Sequence, residues 1–422
     1  MSAGAGATAA ADEHGSPARY PVDARALQEW LRASLPAMVA LLRELAEAES
    51  PTDDPASQRR ARELLVQAWR ETGFRHRHLT GRRTGGHLLF VPVGRERGRP
   101  LQLLVGHLDT VWPLGTLARL PVVEEEGILR GPGVFDMKGG LVQMIFALRA
   151  LGELGVPLPA DPVAFVNSDE EVGSPESRGY VRRLARIARR AYVLEPSFGP
   201  DGLLKTARKG VGHFTVTVRG RASHAGLDPE GGASAIQELA HVIHALHALN
   251  DVERGVTVNV GVIEGGTRAN VVAAESRAEV DVRAATNEDA ARVSEAILGL
   301  RPVAPGVALE VTGGFRVPPL ERTPRNRGLW RQAQAAATRL GIPLGEVTAG
   351  GGSDGNTTSQ HCATLDGLGP RGDGAHADRE HLVVESLAER AALLALLLAA
   401  PLPGGDIGAR REPARAGLRR EG

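Results

Sequence analysis

Apolar positions along the chain change period several times, and each change marks an element. Between residues 24 and 73 they recur at helical spacing, with Leu41, Leu42 and Leu45, then Leu64, Leu65 and Trp69. Short apolar runs follow, each stopping at a polar cluster. The run 101–105 leads into Gly106-His107-Leu108-Asp109, and 163–166 into Asn167-Ser168-Asp169-Glu170-Glu171; 191–194 leads into Glu195. A helical stretch over 139–154 separates the first two. Short apolar runs alternating with helices predict buried strands of an α/β sheet. All three clusters follow the carboxyl end of a predicted strand, the edge where open α/β sheets build their sites. Clusters distant in sequence can therefore meet in space.

The texture changes near Gly210. Alternation over 212–219 places Phe214, Val216 and Val218 on one face. A helical pattern covers 233–249, alternating segments cover 256–263 and 276–283, a second helix 287–300 and a last strand 308–312. The order β-α-β-β-α-β is the split βαβ pattern. It predicts a compact α+β insert over 210–318, with hinges at Gly210 and at Pro318-Pro319. The flanking segments 23–209 and 319–402 then form one discontinuous α/β domain, a mixed sheet flanked by helices. Residues 330–340 read as a helix and 391–398 as the apolar part of a core helix. Residues 1–22, rich in Ala and Gly, and 403–422, rich in Pro, Gly and Arg, are expected to be disordered.

The length, 422 residues, fits two or three domains. Lys plus Arg equals Asp plus Glu at 50 each, so bulk charge predicts neither a nucleic-acid nor an anionic-membrane partner. A single cysteine, Cys362, excludes an intrachain disulfide and a cysteine zinc cluster, and leaves the histidines as ligands or bases. No apolar run reaches the roughly 18 residues of a membrane span. The start of the chain carries Asp12 and Glu13 and lacks the basic and apolar regions of a secretory signal, so the cytoplasm is the expected location.

Against this background the polar clusters gain interest. His107 with Asp109 just past a strand has the pattern of an imidazole ligand oriented by a carboxylate, although a loop histidine has the same sequence. Asp136 lies in the glycine-dense stretch 131–140 before a helix, where a helix cap is the rival reading. Asp169, Glu170 and Glu171 are consecutive carboxylates that repel one another unless solvated or compensated by cations. If metal is bound there, one Glu ligates and its neighbour moves protons. Glu195 ends an apolar run, and His376 sits in a glycine-rich loop. His241, His244 and His247 recur every three residues on one helix, but no acidic cluster accompanies them. A partly exposed helix face explains them better.

Taken together, the motifs resemble the zinc amidohydrolases that include acetylornithine deacetylase, succinyl-diaminopimelate desuccinylase, aminoacylases and bacterial glutamate carboxypeptidases, with the last branch nearest. They are GHLDTV around His107, GVFDMKGG around Asp136, NSDEEVGS around Glu171, LEPS at Glu195, RGRASHAG around His224, GGGSDGN around Asp354 and GAHADREH at His376. The resemblance spans roughly residues 25–400. It implies two zinc ions, with cobalt or manganese as other divalent occupants. Asp136 would bridge them, His107 and Glu195 would complete one, and Glu171 and His376 the other. Glu170 would be the general base toward a metal-bridging hydroxide, and Asp109 would orient His107.

The resemblance also makes the insert a lid and dimerisation domain. His224 would reach an active site, often the partner's, and hydrogen-bond the oxyanion; a turn histidine is the plain alternative. Arg283 and Asn270 would bind the carboxylate end of the substrate. Arg316 would hold an acidic side chain, or be a surface charge, and Gly351 and Ser353 would line the pocket wall. If the insert pairs through an edge strand, 212–219 and the helix after Ala233 are the candidate interface. Glu at 195 argues against the aminopeptidase and dipeptidase branches, which usually carry Asp there. The expected activity is removal of a C-terminal amino acid, foremost glutamate, from an acyl group or short peptide. An N-acyl-amino-acid deacylase of other preference and a non-catalytic binding protein on the same scaffold are the alternatives.

Overall fold

The computed structural model describes residues 21–402; the expectations for residues 1–20 and for the tail after 402 lie outside them. A six-stranded sheet runs in the order Phe74–Leu79, His87–Pro92, Asp161–Asn167, Leu101–His107, Ala188–Val193, Ala363–Leu365. The last four strands are mutually parallel and the first two antiparallel, so the sheet is mixed. Leu101–His107 and Asp161–Asn167 are buried at every position, which is why they read as unbroken apolar runs. Phe74–Leu79 carries no such run. Its sequence is FRHRHL, and its four interior positions are exposed at the sheet edge, where charge discourages pairing with another chain.

Helices cover the sheet. The periodic segment at the start resolves into Ala24–Ala33, Leu35–Glu47 and Gln58–Trp69. Glu385–Ala399 is apolar almost all round because it is buried almost all round, packing chiefly on Gly139–Glu153. Its unpaired C-terminal carbonyls meet a buried cation. Arg190 donates from Nη2 to Leu398 O (3.1 Å) and Ala400 O (2.9 Å), and from Nε to Gln102 Oε1 (3.0 Å).

The insert has the expected order: strand Gly210–Arg219, helix Ala235–His247, strands Thr257–Gly265 and Glu275–Ala284, helix Asn287–Leu298, strand Ala308–Val317. Its four-stranded antiparallel sheet has its own core, where Phe214, Val216 and Val218 meet Leu239, Val242, Leu246, Val293 and Ile297. Ser234 and Thr286 cap the two helices by accepting Gln237 N and Asp289 N (3.2 and 3.0 Å). One expectation is corrected. Gly210–Arg219 is an interior strand, paired on both sides, so it cannot offer a free edge; Thr257–Gly265 lies at the sheet margin instead.

Two small sheets have strands too short to show a period. Leu204–Arg208 pairs in parallel with Glu346–Ala349. Val123–Glu125, Ile128–Arg130, His381–Val383 and Gly372–Asp373 form a four-stranded meander-like patch that lays the loop after Asp373 beside the turn after Arg130. Among the described residues no helix is long and apolar enough to cross a membrane.

Candidate metal centre

His107 is the last residue of its strand, and Asp136 belongs to the turn entering the helix Gly139–Glu153. Glycine is required in that turn. Gly133 has φ +72°, and a Cβ on Gly140 would stand 2.1 Å from the carbonyl of Leu194, so the helix start can press against the chain leading to Glu195. Glu170 and Glu171 occupy a short turn after Asp161–Asn167. His376 has φ +63°, a left-handed backbone that non-glycine residues rarely adopt and that tends to mark functional sites.

These elements converge. His107 Nε2 faces Asp136 Oδ1 (3.3 Å) and Glu195 Oε1 (3.5 Å). His376 Nε2 faces the other oxygen, Asp136 Oδ2 (3.3 Å), and Glu171 Oε2 (3.1 Å). Ligand atoms of His107, Asp136 and Glu171, and separately of His107, Glu170 and Glu195, lie within 4.8 Å of one another. Asp109 supports His107 mainly through its backbone, with Nδ1 at 2.9 Å from the Asp109 carbonyl and 3.5 Å from Oδ1. A carbonyl only accepts, so Nδ1 carries a proton and Nε2 is the nitrogen presented to the acidic cluster. The Asp109 carboxylate instead accepts Thr52 Oγ1 (2.8 Å) and the N–H groups of Glu170 and Glu171 (both 3.3 Å).

The electrostatics call for positive charge at this place. Burial lifts the Glu170 carboxyl far above the usual range, and repulsion from Glu195 adds to it. Burial raises Glu171 too. Burial alone would lower His107, yet Asp109, Asp136 and Glu195 hold it well above its ordinary value. Hydrogen bonds to Asp136 and Glu171 push His376 up to about 10. The Nε2 atoms of two imidazoles and a ring of carboxylates aimed at common points fit divalent cations, which would take the place of the imidazole protons, and imidazole with carboxylate is a donor set that zinc accepts.

The second layer contains residues that sequence reasoning left unassigned. Glu380 accepts the N–H groups of Gly133 (2.9 Å), Phe135 and Asp136 (3.0 Å each) and Trp112 Nε1 (2.7 Å). Arg208 is buried, with Nε at 2.7 Å from Asp366 Oδ2 and Nη2 at 3.4 Å from Glu195 Oε2. Asp354 accepts Ser174 Oγ (2.8 Å) and Asn167 Nδ2 (2.5 Å), fastening the end of the Glu170–Glu171 turn. Glu380 and Asp354 lie inside the GAHADREH and GGGSDGN motifs, whereas Arg208 belongs to no motif.

Beside the cluster opens a cleft of about 570 Å³, whose lining includes Glu170, Arg178, Arg283, Ser353, Asp354 and His376. Arg283 lies there, bidentate to Asp281 (2.8 and 2.9 Å). Ser353 caps the helix Asp354–Thr358 and donates to Asp366 (2.5 Å), and the Gly351 carbonyl accepts Arg208 Nη1 (3.1 Å). His224 and Asn270 are not brought to the cleft. They sit together on the exposed insert, where His224 Nδ1 accepts Gly226 N and Leu227 N (3.2 Å each), and Asn270 O accepts Ala225 N (3.0 Å). The Arg316 side chain is exposed and does not line the cleft; only its carbonyl points to the site, accepting Arg178 Nη1 at 2.7 Å. His241, His244 and His247 are exposed and join no ligand cluster among the described residues.

Residues 103–400 match peptidase family M20/M25/M40. The chain belongs to this family. It is similar to carboxypeptidase G2 from Pseudomonas sp. (strain RS-16), 28% identical over 371 residues, 86% of this chain and 89% of that protein. Acetylornithine deacetylase from Myxococcus xanthus is 31% identical over 227 residues, 51% of this chain and 58% of its own length. Among solved structures, a Bacillus cereus aminopeptidase superposes with TM-score 0.69 at 22% identity, over 88% of this chain and 98% of its own. An M20 family metallo-carboxypeptidase from Sulfolobus solfataricus does so with TM-score 0.64 at 16% identity, over 86% and 99%. The two solved structures share the fold, and family membership makes this chain an enzyme of the peptidase and amidohydrolase kind.

Proposed function

We propose that the chain is a dizinc, exo-acting amidohydrolase that cleaves the amide of an N-acyl or peptidyl C-terminal amino acid and releases glutamate. One observation carries the reading: Asp136 offers its two oxygens to two different imidazoles, each accompanied by its own glutamate. His107 and Glu195 would hold one ion, Glu171 and His376 the other, with Asp136 shared. Cobalt or manganese would suit the same donors. Three carboxylates offset most of the charge of two divalent ions, which makes a buried site tolerable.

When bound, the ions supply Lewis acidity to a water and to the scissile carbonyl. Glu170 is not needed to complete either ligand set and lines the cleft, so it is the group free to take the water's proton and pass it to the leaving nitrogen. Asp109 holds a proton on His107 Nδ1, the tautomer in which Nε2 would be free to ligate an ion. Arg283 receives the α-carboxylate in exchange for Asp281, beside Ser353 and Gly352, which lines the cleft where Gly351 does not. His224, with Asn270, serves the active site of a partner subunit, donating to the tetrahedral oxyanion. Their exposure on the insert supports a role across an interface.

The test is hydrolysis of one acyl group joined to Glu, Asp, Leu, Lys or ornithine, plus benzoyl-glutamate, by zinc-loaded and chelated protein. Release of glutamate, lost on chelation, is the expected result. Chelator-sensitive cleavage with another preference would move the chain to the N-acyl-amino-acid deacylases. No cleavage with two metals bound would favour a binding protein on this scaffold.

A further inference from the structure

We infer that Arg178 is the specificity-determining residue of the cleft, recognising the side-chain carboxylate of the amino acid that is released. The inference rests on the amidohydrolase reading and names the residue that would make such an enzyme select acidic substrates.

Two guanidinium groups line the cleft, and they differ in charge balance. Arg283, contributed by the insert, is neutralised by Asp281 through two hydrogen bonds (2.8 and 2.9 Å). Arg178, the first residue of the helix Arg178–Ala185, is held by two backbone carbonyls, donating from Nη1 to Arg316 O (2.7 Å) and from Nη2 to Gly173 O. Among the described residues no carboxylate forms an ion pair with it. Carbonyls orient a guanidinium without cancelling its charge. Of the five N–H donors, three remain for a ligand.

A half-buried, pre-oriented and uncompensated cation in an open cleft matches a planar carboxylate, which accepts two parallel N–H bonds from one guanidinium. The anchor Gly173 follows Glu171 by two residues, so an anion on Arg178 lies close to the acids proposed to hold metal. An acidic amino acid presents two carboxylates and the cleft presents two guanidiniums. Arg283 retains the α-carboxylate common to all substrates, and Arg178 takes the group that distinguishes glutamate. The arrangement also accounts for Arg316: its carbonyl aims Arg178 while its own side chain faces solvent.

The experiment compares acyl-Glu with the isosteric, uncharged acyl-Gln, and with acyl-Lys, for the zinc-loaded wild type and for Arg178→Gln, Arg178→Lys and Arg178→Glu. Wild type is expected to prefer Glu. In Arg178→Gln the Glu-to-Gln ratio of kcat/KM should fall roughly 10- to 100-fold, mostly through KM, as expected for a lost charge-assisted pair. Arg178→Lys should recover part of the ratio, and Arg178→Glu should shift it toward acyl-Lys. Calorimetric binding of free glutamate against glutamine gives the same comparison without turnover. An unchanged ratio in Arg178→Gln, equal losses on Glu and Gln, or a wild type that cleaves the panel without acidic preference would overturn the assignment. A metal-loaded wild type that cleaves no acyl-amino acid would defeat the amidohydrolase reading itself, and this inference with it.

Discussion

Glu380 accepts the backbone N–H of Asp136 at 3.0 Å, and it lies four residues after His376 in the chain. The loop carrying one candidate ligand is thus tied to the turn carrying the shared one. All four partners of the Glu380 carboxylate are donors. Glu380→Gln replaces one acceptor oxygen with an NH₂ group that faces donors, and Glu380→Ala leaves buried N–H groups unpaired. Each substitution is expected to weaken metal affinity by about 10- to 100-fold, the usual effect of losing an outer partner. Competition with a chromogenic chelator measures this directly. Wild-type affinity in both variants would show that the Asp136 turn holds its shape unaided.

Glu170 differs from its neighbour Glu171 in what its loss should do. Glu171 Oε2 meets His376 Nε2 at 3.1 Å, so Glu171→Gln should release one of two bound ions. Glu170→Gln should keep both and lower kcat by roughly 10²- to 10⁴-fold, the scale of general-base catalysis. Metal analysis after gel filtration, beside single-turnover kinetics, separates the two. Loss of an ion from Glu170→Gln would recast Glu170 as a ligand, a role its proximity to His107 and Glu195 also permits.

The strand ends that carry His107, Glu170 and Glu195 were legible because fully buried parallel strands leave unbroken apolar runs, and such sheets place their chemistry at the carboxyl edge. The insert was legible because one face of its sheet is solvated, so Phe214, Val216 and Val218 alternate with polar residues. Phe74–Leu79 was not, since its partner strand rather than its own pattern makes it a strand. Strands of three residues, such as His381–Val383, have no period to read. Contacts across long separations were also hidden. Arg208 meets Asp366 158 residues away, and nothing near either residue announces the other. Arg316 shows the same limit in reverse: the residue type suited a carboxylate, but its strand turns the side chain outward and leaves Arg178 in the cleft.

Arg208 tests how the buried charges are balanced. Its guanidinium stands between Asp366 and Glu195, and it also donates to the carbonyls of Gly351 and Gly352 (3.1 and 3.2 Å). Removing one partner of a buried ion pair costs about 3–5 kcal/mol, because the other charge stays buried and uncompensated. Arg208→Leu is expected to lose stability on that scale in urea unfolding. Arg208→Leu with Asp366→Leu should recover part of the loss, because Asp366 no longer lacks a partner. A single variant as stable as wild type would mean that water or Ser353, which donates to Asp366 at 2.5 Å, replaces the guanidinium.

The edge of the insert carries the last prediction. Among the described residues Thr257–Gly265 has one neighbouring strand, and from Val262 onward it is exposed, with Val262 and Ile263 at 53% and 61%. Ile236, at 48%, stands beside the end of this strand, within 3.2 Å of where a Gly265 Cβ would be. An unpaired, apolar edge invites a second strand, and two copies related by a two-fold axis would extend both sheets at once. Val262→Lys with Ile263→Glu places charge on that edge and should convert a dimer to a monomer by light scattering. If His224 and Asn270 act across the interface, kcat should fall with dimer content, and mixing His224→Ala subunits with Glu170→Gln subunits should restore part of the activity. A wild type that is monomeric at assay concentration and fully active would confine both residues to their own subunit.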